Sequence, residues 1–154
     1  MPAEAGGLVN WMDEALTEAH LAADRGETPV GAVVVFEERI VARAGNETRA
    51  LFDPTAHAEV LAIRRACRAV GSERLPGFDL YVTLEPCAMC AATISFARIR
   101  RLYYGAADEK GGAVEHGSRF YAQPTCHHAP DVYSCIGERA SAELLRSFFR
   151  ARRD

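Results

Sequence analysis

Apolar residues recur with the spacing of an α-helix in three parts of the chain. The first pattern begins after Asn10, which can cap a helix, and runs through Ala23 to a stop at Gly26. The second starts near His57 and stops at Gly71. The third precedes an arginine-rich C-terminal end and consists of Ala140, Leu144, Leu145 and Phe148. These spacings predict three amphipathic helices.

Four short, largely apolar runs have the length and composition of β-strands. They cover residues 30–36, 40–44, 79–84 and 101–105. Glu37 and Glu38 separate the first two runs, which predicts a hairpin. A further helix from Cys87 to Ala97 is predicted between the last two runs, with Pro86 suited to its first turn. Strands that alternate with helices indicate an α/β sandwich with parallel pairing in the later part of the sheet.

Residues 111–137 carry no clear period, and no element is predicted there. The total of 154 residues is close to the roughly 150 that one domain typically contains, and there is no internal repeat. We therefore predict a single domain over residues 1–154, with residues 1–9 frayed. Because no apolar run approaches the roughly 20 residues that a membrane helix needs, we expect no association with a membrane.

Charge and cysteine content narrow the classes of function. The net charge of -3 argues against nonspecific coating of nucleic acid, which depends on many contacts from Lys and Arg to phosphates. The five cysteines are an odd and unevenly spaced set that makes a poor disulfide framework. A reducing, cytoplasmic location is therefore expected, and the thiols are free for other chemistry.

Two short motifs carry candidate metal ligands, each at the start of a predicted helix. They are H-A-E at residues 57–59 and P-C-A-M-C at residues 86–90. Cysteines three apart share one face of a helix, and the positive end of the helix dipole favours their thiolate forms. We predict that His57, Cys87 and Cys90 hold zinc. Three protein ligands leave the fourth position to water, as in catalytic zinc sites.

Hydrolysis at such a site also needs a proton carrier that is not a metal ligand, and Glu59 is the candidate. Residues two apart on an ideal helix point about 200° from each other. His57 and Glu59 can therefore flank one site only at the tip of a helix. The turn residues at 53–55 favour that position, so we expect Glu59 to be the catalytic residue.

The combination of H-x-E with P-C-x-x-C is the signature of zinc-dependent deaminases that act on nucleobases. From about Trp11 to Arg153, the chain resembles the bacterial tRNA adenosine deaminase family of the cytidine/deoxycytidylate deaminase superfamily. The resemblance rests on P-V-G-A-V at 29–33, D-P-T-A-H-A-E at 53–59, Y-V-T-L-E-P-C at 81–87 and F-F at 148–149.

This resemblance implies a three-layer α/β/α sandwich of the cytidine-deaminase type around a mixed five-stranded sheet. It also implies a homodimer with one Zn²⁺ per chain. The implied reaction converts adenosine to inosine at the wobble position in the anticodon loop of tRNA. Carried over position by position, Asn46 and Ala58 would contact the flipped base and Asp108 the ribose. Val30 and Phe149 would form the wall of the substrate pocket.

The sequence departs from the general family pattern between residues 114 and 137. Residues 118–121 and 126–128 look like one branch of the family, in which a small residue such as glycine is expected where Cys135 stands. Residues Cys126, His127 and His128 could also form a second metal site, but a loop with prolines carries such residues by chance.

Two other functions stay open at this point. The ligand set is shared with deaminases of free bases or nucleosides such as guanine, cytosine and cytidine, although the arginine-rich last helix favours RNA. Alternatively, a fourth protein ligand such as Cys126 would close the metal site. A closed site would make the protein a noncatalytic zinc module.

Overall fold

The computed structural model describes residues 10–153, and the predicted fraying of residues 1–9 lies outside this range. Within it, the chain forms four helices, five strands and one 3-10 turn at Phe120–Ala122. The helices are α1 Trp11–Asp24, α2 Ala58–Val70, α3 Ala88–Phe96 and α4 Glu138–Arg153. The strands are β1 Gly31–Phe36, β2 Arg39–Gly45, β3 Asp79–Leu84, β4 Arg101–Ala106 and β5 Asp131–Tyr133. None of the helices in residues 10–153 has the length and hydrophobicity that a bilayer crossing requires.

The five strands form one mixed sheet in the order β2-β1-β3-β4-β5. The predicted hairpin is confirmed, because β1 pairs antiparallel with β2. Strand β1 also pairs antiparallel with β3, whereas β3, β4 and β5 are parallel to one another. The prediction of parallel pairing in the later part of the sheet is therefore confirmed. As a result, the C-terminal ends of β3 and β4 lie at the same edge of the sheet.

Helices cover both faces of this sheet. Along β1, Ala32 and Val34 join the larger apolar cluster with α2 and α3, while Val33 and Val35 join a smaller cluster with α1. This alternation follows from the period of two in a β-strand. Helix α4 packs against β4 and contacts α1 on the second face. The predicted three-layer α/β/α sandwich is confirmed.

Local chemistry sets the helix ends that were predicted. The Asn10 side chain accepts hydrogen bonds from the amides of Met12 and Asp13, at 3.1 and 3.3 Å, and so caps α1. Gly71 ends α2 in the left-handed region at φ 73°, where glycine meets no steric penalty from a Cβ.

Three predictions about elements need correction. Pro86 lies before the N-cap residue Cys87 and not in the first turn of α3. Ala140 is exposed, and Ser141 is the buried residue where α4 meets Gly105. Residues 111–137 do contain structure, the 3-10 turn and β5. A strand of only three residues with exposed side chains at both ends leaves no hydrophobic period to detect.

Candidate active site

The tips of two helices meet at the predicted metal site. His57 is the N-cap of α2 and Cys87 is the N-cap of α3, both with extended backbone. Neither side chain caps its own helix, so both remain available to bind something else. Cys90, one turn into α3, is fully buried. The helix-tip position that the spacing of His57 and Glu59 requires is therefore the one observed.

The three predicted ligands converge with the spacing of a metal site. The Nδ1 atom of His57 lies 3.7 Å from Cys87 Sγ and 3.5 Å from Cys90 Sγ. All three ligand atoms lie within 4.8 Å of one another. Around tetrahedral zinc with ordinary bond lengths, nitrogen and sulfur ligands are about 3.6 Å apart, so donor type and spacing both fit zinc. Among residues 10–153, no other three His, Cys, Asp or Glu side chains group in this way.

Hydrogen bonds among the three side chains shift their pKa values so that Cys87 is a thiolate, the form that binds a metal cation. The hydrogen bond from Cys90, supported by His57, lowers the pKa of Cys87 to about 4. The same hydrogen bond raises the pKa of Cys90, which holds the proton. Contact with Cys87 raises the pKa of His57. Because zinc binds thiolates and neutral imidazole, metal uptake would release the protons that these residues share.

Glu59 lies beside this group without belonging to it. The residue is 4% exposed, and burial raises the pKa of its carboxyl to about 7. Its titration also responds to the charges of Cys87 and His57 and to a hydrogen bond with Cys90, which places it against the ligands. A buried carboxyl whose pKa is raised towards neutral pH is suited both to accept and to donate a proton.

Three of the predicted substrate-binding residues lie together next to His57. The side-chain oxygen of Asn46 accepts a hydrogen bond from the backbone amide of Ala58 at 2.8 Å. The backbone amide of Asn46 donates to the Val30 carbonyl at 3.1 Å. All three residues are buried. The contact to Ala58 fixes the start of α2, so Asn46 also orients the residue that follows the histidine ligand.

Asp108 lies in the loop after β4. Its backbone amide donates to Glu85 at 3.0 Å, and its side chain accepts from the amides of Lys110 and Gly111. Glu85, which accepts these loop amides, was not among the site residues predicted from the sequence. An acidic residue at the end of a buried strand, directly before the P-C-x-x-C motif, is the signal that could have found it.

Phe149 is 45% exposed on α4, where its ring packs edge-on against Phe148. The Arg152 guanidinium lies 4.0 Å from the Phe148 ring. Its Nη2 atom would lie 3.9 Å from a Cβ at Gly26. The end of α4 therefore approaches the segment that leads into Val30. No hydrogen bond or aromatic contact ties Phe149 to the metal-ligand group in residues 10–153.

Cys126 and His128 make hydrogen bonds away from the metal-ligand group. Cys126 Sγ donates to the His128 carbonyl at 3.1 Å, and His128 Nε2 lies 2.7 Å from the Ile99 carbonyl. Cys126 is not in the metal-ligand group, so the closed zinc module that needed it as a fourth ligand is wrong for the part of the chain described. Cys135 has φ 62°, the left-handed region where glycine is favoured, which explains why glycine was expected there.

The chain belongs to the MafB19-like deaminase family, which it matches over residues 8–153. The tRNA-specific adenosine deaminase of Agrobacterium fabrum is 67% identical over 144 residues, which are 94% of this chain and 95% of that protein. A solved structure from studies of A-to-I editing by tRNA A34 deaminases is 68% identical with a TM-score of 0.86. It covers 87% of this chain and 97% of the other. The family resemblance predicted from the motifs is confirmed.

A more distant solved structure bears on the alternative substrate. The guanine deaminase of Bacillus subtilis is 33% identical with a TM-score of 0.62, over 92% of this chain and 90% of that protein. The same fold therefore occurs in a deaminase of a free base. Identity to the tRNA-specific relative is about twice as high.

Proposed function

We propose that this chain is a zinc-dependent hydrolase that deaminates adenosine to inosine at the wobble position of tRNA. The observation that carries the proposal is the convergence of His57, Cys87 and Cys90 at two helix tips, with buried Glu59 beside them. The level of identity to the tRNA-specific relatives supports the choice of substrate.

His57, Cys87 and Cys90 would hold one Zn²⁺ per chain. When bound, zinc supplies a Lewis acid that activates water for attack at neutral pH. Glu59 is then the proton carrier: it transfers one proton of the attacking water to the ring and the other to the leaving amino group. Water enters and ammonia leaves, so adenosine becomes inosine. The pKa of about 7 suits a group that must act first as base and then as acid.

The remaining predicted residues are proposed as substrate contacts. Asn46 and Ala58 would contact the flipped base, because their hydrogen bond holds them at the start of α2 beside His57. Val30, whose carbonyl accepts from the Asn46 backbone amide, would form part of the pocket wall. Asp108 would bind the ribose from the loop after β4. Phe149 would close the pocket from α4, where its ring is partly exposed.

We also propose the tRNA anticodon loop as partner, a homodimer as assembly and the cytoplasm as location, where a tRNA substrate is found. The single domain over 1–154 would be the folding unit. The dimer rests on the family resemblance, and its interface would cover exposed apolar side chains such as Phe52 and Phe96, which are 95% and 71% exposed. Light scattering that gives the mass of one chain, 16.8 kDa, would rule out a stable dimer.

The test of function uses zinc-loaded protein with an anticodon stem-loop that carries a wobble adenosine. Separate reactions contain free adenosine, cytidine and guanine, and the products scored are inosine, uridine and xanthine. Inosine formed only in the RNA is the expected result. Xanthine from guanine would favour the second candidate, a free-base deaminase, which the 33% identity to a guanine deaminase motivates.

A further inference from the structure

Glu85 is a buried carboxylate between β3 and the metal ligand Cys87, and the proposed mechanism gives it no role. Its side chain is fully buried. One oxygen, Oε2, accepts hydrogen bonds from three consecutive backbone amides, those of residues 114, 115 and 116, at 3.1, 2.9 and 3.1 Å. A buried charge is tolerated only when such donors replace its lost water. The carboxylate therefore holds this backbone turn in place.

The second carboxylate oxygen, Oε1, contacts both ends of the same loop. It accepts from the Asp108 amide at 3.0 Å and lies 2.7 Å from His116 Nδ1. We call residues 108–116 the clamp loop. The loop wraps the carboxylate so closely that a Cβ at Gly112 would lie 2.5 Å from the Glu85 carboxyl carbon. Only glycine fits that position without a shift of the backbone.

These contacts tie two edges of the proposed active site together. Glu85 precedes Cys87 by two residues, and the clamp loop carries Asp108. Hydrogen bonds to ionised acceptors are stronger than neutral ones, and here they converge on one carboxylate. Together with the hydrogen bond from the Ala113 amide to the Pro86 carbonyl, Glu85 thus couples the segment before Cys87 to the loop that carries Asp108.

We propose that Glu85, with His116, is a positioning residue for substrate binding: it fixes the clamp loop so that Asp108 meets the ribose beside the metal-ligand group. This inference rests on the proposed function, from which the ribose contact of Asp108 comes. Glu85 itself touches no reacting atom. Its loss should therefore weaken substrate binding and leave the chemical step nearly unchanged.

The variant Glu85→Gln tests this at the level of one atom. The side-chain oxygen of the glutamine can still accept hydrogen bonds from the three amides of residues 114–116. Its NH₂ group then faces the Asp108 backbone amide, and because both are donors, the hydrogen bond to Asp108 is lost. We expect unchanged zinc content, a KM for the anticodon stem-loop about tenfold higher and a kcat within about twofold of the parent. The matched control is Glu109→Gln, an exposed residue of the same loop, which should change neither constant. A fall in kcat with KM unchanged would overturn the proposal.

A double variant shows whether Glu85 acts through Asp108. If it does, adding Glu85→Gln to Asp108→Ala should raise KM no further than Asp108→Ala alone. Independent roles would give KM increases that multiply. Multiplicative effects would overturn the proposal.

Amide hydrogen exchange separates the failure of this inference from failure of the proposed function. In zinc-loaded Glu85→Gln, the peptide that contains Asp108 should exchange faster than in the parent and in Glu109→Gln. Equal exchange would overturn the clamp even if the enzyme acts on tRNA. Faster exchange in a protein without activity on the stem-loop would overturn the proposed substrate instead. If Glu85→Gln fails to fold, His116→Ala decides by the same measurement, because it removes one side-chain contact and keeps the backbone.

Discussion

The metal-ligand group and the clamp loop lie at the same edge of the sheet but are held by different means. His57 and Cys87 are the N-cap residues of α2 and α3, and Cys90 lies in the first turn of α3. The packing of these helices on the sheet fixes all three. The clamp loop has no helix or strand, and the Glu85 carboxylate accepts hydrogen bonds from four of its backbone amides. A site can thus combine ligands fixed by helix packing with a substrate contact held mainly by hydrogen bonds to one buried carboxylate. Changes in the first region should abolish activity, and changes in the second should tune binding.

The largest effect is expected from removal of a metal ligand. Cys90→Ala should lose zinc, fall to background activity and show a melting temperature that no longer responds to a chelator, because ligand loss removes metal binding and its stabilisation together. Metal analysis and thermal melts with and without chelator measure this. Cys126→Ala is the matched control and should retain zinc, since Cys126 contacts Ser95 and His128 instead. Loss of zinc in the control would revive the closed module.

Glu59→Gln should be nearly as severe for activity but leave the metal in place. Removal of a general acid-base group typically costs about 10²–10⁴ in rate. We expect kcat on the stem-loop to fall at least a hundredfold at full zinc occupancy, measured by single-turnover inosine formation. Stability should not fall, because an uncharged amide is easier to bury than a carboxylate. Activity within tenfold of the parent would assign proton transfer to another residue.

Gly112→Ala should have an intermediate effect that is confined to the clamp loop. The added Cβ would lie 2.5 Å from both the Glu85 carboxyl carbon and the Asp108 carbonyl. Such overpacking typically costs about 1–3 kcal/mol of unfolding free energy. We expect a higher KM with retained zinc, by steady-state kinetics and denaturant melts. Gly111→Ala is the control for the denaturant melts alone, because its Cβ would lie 3.0 Å from the Asp108 side chain, which is itself the proposed ribose contact. Equal effects of the two variants would contradict the tight fit around Glu85.

The smallest effect is expected at Cys135, which belongs neither to the metal-ligand group nor to the clamp loop. Its φ of 62° strains any residue with a Cβ, so Cys135→Gly should raise the unfolding free energy by up to about 1 kcal/mol. Denaturant melts test this. Ser134→Gly, one residue earlier and without a positive φ, should be neutral or destabilising. A loss of stability in Cys135→Gly would show that the thiol itself makes a contact that offsets the strain.

The metal-ligand group and the clamp loop also differ in how well each could be predicted from the sequence. The ligand group could be predicted because its spacing is local: cysteines three apart, and a histidine and a glutamate two apart at a helix tip. The Asn10 cap and the Gly71 stop are local in the same way. Glu85 meets partners 23 to 31 residues away, and no pattern along the chain records which amides a carboxylate will meet. Similarly, β5 is too short for its three residues to show a period.

Two of the predicted metal ligands lie on separate helices, so metal binding would restrict the conformations of the chain between them. His57 and Cys87 are 30 residues apart in sequence, with α2 and β3 between them. An ion that both hold would close this segment as a cross-link does, and a closed loop of this length removes about 3–4 kcal/mol of conformational entropy from the unfolded chain. All three ligands can bind one ion only when the tips of α2 and α3 lie together. Full coordination would therefore report the docking of these two helix tips, and loss of the ion would accompany their separation.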